Sequence, residues 1–210
     1  IATLLLTIDI VTKDRRHPSI LKGFPIADWK RLVVKALVAL VGSIALWIPI
    51  VVGLIIIGFQ FGFGHFSLPS PVYSYELIWQ MDGKFTDMSL GMFLLRCFVL
   101  LAAWMFVMIA VVLLFSILFR QEMLNMIVGV LLIFGERFYT SRGVGYFWDV
   151  EQYPTSYVQV GKIVSKYQNF YFTTPKLHDM LGVKLLLASA VIVLLFTLLI
   201  SLSKRFRLIK

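Results

Sequence analysis

The chain of 210 residues is 60% hydrophobic and 15% charged, with a mean hydropathy of +0.89. Soluble domains average about 45–50% apolar and about 25% charged residues. A water-soluble globular protein and a disordered chain are therefore excluded, and Cys97, the single cysteine, excludes a disulfide scaffold. What remains is an integral membrane protein. Its net charge of +9 is concentrated: seven basic residues lie in 13–35, and Lys204, Arg205, Arg207 and Lys210 close the chain. Both clusters flank apolar runs, so the charge reads as a positive-inside label. No nucleic-acid partner is expected, because no folded basic surface is available for one.

Residues 1–8 are apolar but too short to cross a bilayer. They read as the inner end of a truncated transmembrane helix, since the basic start and cleavage site of a signal peptide are both missing. Residues 9–35 form a cytoplasmic loop, broken by Pro18 and Pro25. Within it Trp29, Leu32 and Val33 share one helical face leading into the first span, as in a helix lying on the inner surface. Residues 36–64 carry no charge and as helix would extend about 43 Å. The hydrocarbon core is about 30 Å thick, so this span must tilt, kink or protrude. Pro49 is the expected kink. Gly58 and Gly62 form a GxxxG that either admits a close helix neighbour or ends the helix.

An outer loop follows at about 65–91, acidic on balance (Glu76, Asp82 and Asp87 against Lys84). Pro69 and Pro71 argue against regular structure in it. The second span is placed at 93–119 and the last at 185–203. Between them, residues 123–135 are uncharged but give only about 20 Å of helix. Parity settles the reading: only if 123–138 crosses do both basic clusters lie inside. All eight tyrosines then fall in the outer loops, 65–91 and 139–184, where a ring is half buried and its hydroxyl wet. Short helices on or in the outer leaflet are expected for the second loop.

Catalytic and metal signatures are missing: no GxSxG, HExxH, CxxC or Walker A occurs. His17, His65 and His178 are far apart in sequence, and no metal cluster is expected. The spans at 36–64 and 97–119 hold no ionisable group, which argues for an energy source outside the membrane domain. Arg96 lies about one turn inside the outer boundary and either snorkels to the headgroups or lines a path. With Glu136, Arg137 and Tyr139 it forms the candidate set for a pathway or outer gate.

A basic inner loop with a leucine (Leu21), a Pro-Ile pair soon after (Pro25, Ile26), and a lysine (Lys35) opening a long helix resembles the type-2 ABC exporter permeases. So does the order of the rest: a tight turn at 120–122, a short helix, an aromatic outer segment, and a final helix with a basic tail. The chain departs in having Asp14 where a glutamate often opens the loop, and in lacking the first helix and most of the second.

The resemblance implies an all-α, polytopic helical membrane protein with four spans plus the inner end of a truncated fifth. It further implies a coupling helix that docks on a separate ATP-binding cassette subunit. Leu21, Phe24, Pro25, Ile26, Trp29, Lys30 and Arg31 would form the coupling surface. ATP and magnesium would sit on that partner, with no cofactor and no ATPase motif in this chain. A second permease half, identical or not, would complete a pathway in the cell membrane, surrounded by lipid, with the C-terminus cytoplasmic. Charge-free spans and aromatic loops favour amphipathic or apolar cargo, such as a peptide, lipid or drug. The alternative is a membrane-embedded lipid-modifying enzyme or scaffold using residues 136–184, with Glu136, Arg137, Asp149, Glu151 and His178 as its polar groups.

Overall fold

A computed structural model describes Thr3, Thr7 and residues 26–73, 85–119, 121–140, 149–172 and 174–203. Thr3 and Thr7 are helical, and the Thr7 hydroxyl donates to the Thr3 carbonyl at 2.9 Å. The described chain is mostly helical. Helix α1 (Asp28–Ala45) is followed by α2 (Ile48–Phe61), strands β1 (Pro69–Tyr73) and β2 (Phe85–Ser89), and the long α3 (Leu90–Leu118). Then come α4 (Glu122–Thr140), 3-10 turns at Val150–Gln152 and Pro154–Tyr157, the short α5 (Val160–Val164) and α6 (Tyr167–Tyr171), and α7 (Asp179–Leu202). Three stretches are long and apolar enough to cross a membrane: Trp29–Phe61, Leu90–Leu118 and Asp179–Leu202. The fourth expected span lies in α4, whose 19 residues reach about 28 Å.

Pro49 explains the break between α1 and α2. It has no N–H to give the Ala45 carbonyl, and its ring crowds that carbonyl. Helix α1 accordingly ends at Ala45 and α2 resumes at Ile48. Residues 46–47 close a turn in which the Trp47 amide donates to the Ile44 carbonyl at 2.9 Å. The other end of α2 stops at Gly62, whose φ of 87° lies in the left-handed region that glycine enters freely. Beyond it Phe63 folds back so that its ring fills the space beside Gly58. Of the two readings of the GxxxG, the helix end is the one seen here.

The first outer loop corrects an expectation. Pro69 and Pro71 argued against regular structure, yet both lie in β1, which pairs antiparallel with β2 in the register Pro69↔Ser89, Pro71↔Asp87 and Tyr73↔Phe85. The reason is parity. The Tyr73 amide points away from β2 and donates to the Ser165 carbonyl at 2.9 Å. Backbone amides alternate along a strand, so positions 69 and 71 also face away from the partner, where proline forfeits no ladder bond.

The chain divides into two compact units. Unit 1 comprises Ile1–Ile56, Met105–Leu132 and Ala188–Lys210. Its core is Leu32 and Ala39 of α1 with Ile109, Leu113 and Ile117 of α3, against which Leu194 and Leu198 of α7 pack. The i, i+4 stripe at 109, 113 and 117 keeps one face of α3 inward. Lipid tails are as apolar as leucine, so this core gains from close packing rather than from leaving water. A polar lock joins α3 to α4, with Asn125 Nδ2 donating to Ser116 Oγ at 2.9 Å. The most apolar window of α3 is 50% buried, against 6% for that of Trp29–Phe61, so the rest of the described chain covers α3 far more than the first apolar stretch.

Unit 2 comprises Ile57–Trp104 and Ile133–Leu187. It joins the hairpin to the short helices of the second outer segment. Besides the Tyr73–Ser165 bond, the Tyr73 ring meets the Tyr167 ring edge-on at 5.3 Å. Tyr157 is fully buried and lies against Gly182 of α7 and Leu100 of α3.

Candidate functional site

Glu136 sits near the end of α4, after an apolar run, where a carboxylate would ordinarily reach for headgroups and water. Instead it is 2% exposed, because the segment 149–172 supplies partners to it. Gln168 Nε2 of α6 donates to Glu136 Oε1, and the Gln159 side chain, just before α5, also hydrogen-bonds the carboxylate. The positive charges of Lys162 and Arg137 act on the same group. Two side-chain amides and two cations offset part of the cost of burying this carboxyl group. Arg137 also lies over the Phe134 ring, its guanidinium carbon 5.5 Å from the centroid. The backbone of Tyr139 continues α4 to Thr140; its side chain lies outside the described set.

The same segment is fastened at two more points. Lys176 Nζ stands 3.2 Å from Glu151 Oε1 and 3.9 Å from Asp149 Oδ1. The hydrogen bond and charge of Glu151, then the charge of Asp149, hold the Lys176 ammonium above its ordinary pKa. The Tyr157 hydroxyl donates to the Glu151 carbonyl at 2.9 Å. Burial, and secondarily the Glu151 charge, push that phenol well above the usual tyrosine range, so it remains a neutral donor.

Arg96 is not brought to the Glu136 cluster's hydrogen-bond partners. Its Nη1 lies 3.4 Å from Asp179 Oδ2 at the start of α7. Asp179 in a first helical turn already suits the helix dipole, and His178 Nδ1 accepts the Leu181 amide at 3.1 Å. The pair ties α3 to α7 and neutralises the arginine near the end of its span. Of the polar groups considered for an embedded enzyme, Asp149 and Glu151 share Lys176, Glu136 takes amides, and His178 is spent on capping. Among the described residues no group of three His, Cys, Asp or Glu side chains could hold a metal ion.

Comparison of the chain with known protein families, curated proteins and solved structures gives no match.

Of the coupling residues, Leu21, Phe24 and Pro25 lie outside the described set. Ile26, Trp29 and Lys30 are exposed and Arg31 is half-buried. Helix α1 runs without interruption from Asp28 to Ala45, so the residues of the entry and the first half of the apolar stretch share one helix. Sequence reasoning missed Gln159, Gln168, Lys176 and Asp179. For Asp179 a signal existed, an acidic residue just ahead of a long apolar run. The two glutamines carried none, since their importance comes from a carboxylate more than twenty positions away.

Proposed function

We propose that this chain is the transmembrane permease subunit of an ATP-driven exporter, powered by a separate ATP-binding subunit through residues 13–35. The observation that carries it is the order of elements. A basic, tryptophan-bearing entry runs unbroken into a long apolar span. Three residues separate α3 from α4, and short helices fill the stretch before α7. This is the order of the exporter permeases that the sequence resembles. Net positive charge and tyrosine also segregate, unit 2 being nearly balanced in charge. Lys30, Arg31 and Lys35 belong to unit 1, whereas Tyr73, Tyr153, Tyr157, Tyr167 and Tyr171 belong to unit 2. In this reading residues 13–35 form the coupling surface, and the segment 149–172, fastened on Glu136, caps the pathway.

A buried carboxylate also favours the membrane-embedded lipid-modifying enzyme, but Glu136 is engaged by Gln168 and Gln159. Such a group suits a latch better than a proton donor to substrate. Gentle solubilisation and affinity purification of the full-length protein from its own membrane distinguishes the two. A permease subunit brings down a Walker A-containing chain and loses it when residues 21–26 are deleted. Recovery of intact, lipid-active protein with no nucleotide-binding chain would overturn the proposal.

A further inference from the structure

Unit 1 carries a groove of about 250 Å³ between α1, α3 and α7. Leu32, Ala36 and Leu40 line it from α1, Ile109 and Leu113 from α3, and Leu198 from α7. Thr197 also borders it, but its hydroxyl is turned onto the Val193 carbonyl at 2.6 Å. Water would find no partner there, so the fitting occupant is hydrocarbon. One end is different. Trp29 precedes Leu32 and Val33 by three and four positions, and Lys30 precedes Val33 and Leu37 by three and seven. Both therefore stand on the groove's face of α1, one turn or about 5 Å beyond its lining. Both side chains are exposed, and Lys30 Nζ lies over the Trp29 ring, 5.5 Å from its centroid.

We propose that this groove is a binding site for an anionic phospholipid, with one acyl chain along α1 and the phosphate held by Lys30 beside Trp29. The apolar trough takes the tail, the indole sits at the level where tail meets headgroup, and the ammonium reads the charge. The site stands independently of the exporter assignment, because it uses only the shape of unit 1 and the charge at its rim.

The test offers the full-length protein, in mild detergent, equal amounts of phosphatidylglycerol and phosphatidylcholine with identical chains, and counts retained lipid by native mass spectrometry. Phosphatidylglycerol should be preferred roughly fivefold on account of Lys30. Lys30→Gln, a change at an exposed side chain, should erase that preference while lipid is still bound. Leu37→Trp, at the exposed lip, should close the groove and reduce retention of both lipids. Equal retention by the unaltered protein, or a preference that survives Lys30→Gln, would overturn the proposal. So would a dimer carrying no lipid, since a second copy would then be the occupant.

Discussion

At Gly182 a hydrogen atom takes the place of a side chain, and the ring of Tyr157 fills the room it leaves. A Cβ at 182 would run into that ring and press on Leu100. The ring has nowhere to go: it is fully buried and its hydroxyl is held by the Glu151 carbonyl. Gly182→Ala is therefore expected to cost about 1–3 kcal/mol through overpacking, despite alanine's better helix propensity. Thermal unfolding in detergent measures it, and an unchanged midpoint would show that the contact yields freely. Nothing in the local sequence marked Gly182. Its role is set by a tyrosine 25 positions earlier, and a single glycine in an apolar helix reads as unremarkable. Arg96 and Glu136 were visible as charges at span ends; Asp179 was marked only by its place ahead of an apolar run, and Gln168 by nothing.

At the level of elements, the long helices were legible because hydrocarbon demands about 20 apolar residues in a row, and few soluble patterns imitate that. The break at residues 46–47 followed from Pro49 by the same elementary rule that forbids proline an amide bond. The hairpin was not legible. Pairing of β1 with β2 depends on which way each amide faces, and the prolines at 69 and 71 occupy the permissive parity. The outer segment was legible only as a run of short pieces, since the groups that hold it down are spread from Glu136 to Lys176.

That fastening has a pH signature. The Lys176 pKa is raised by Glu151 and Asp149. Its contribution is thus fully present below the ordinary lysine value of 10.5 and is lost as pH climbs through the raised one. Proteolysis over 149–172, corrected for the protease's own pH dependence, should stay level from neutral pH upward and increase only in that alkaline window. Lys176→Gln should show the faster rate at neutral pH and no alkaline step from this group. A variant that retains the step would remove Lys176 from the fastening.

For the molecule as a whole, two features of composition explain the architecture. Apolar excess leaves the first long apolar stretch scarcely covered by the rest of the chain, and no charged residue interrupts 36–64 or 97–119. The proposed function would require that motion at the basic entry reach the spans, and α1 would provide the means. It carries Trp29, Lys30 and Arg31 on the same unbroken helix as the core residues Leu32 and Ala39. In the proposed function a push at the entry would be delivered to the packing with α3.

The most direct measurement reconstitutes the full-length protein with its ATP-binding subunit in vesicles. It compares ATP hydrolysis with transport of an amphipathic substrate in the unaltered protein and in a variant lacking residues 21–26. The account predicts that the variant inserts and binds lipid-embedded substrate normally, but that substrate no longer stimulates hydrolysis and transport falls at least tenfold. Unchanged substrate-stimulated hydrolysis with unchanged transport would contradict it.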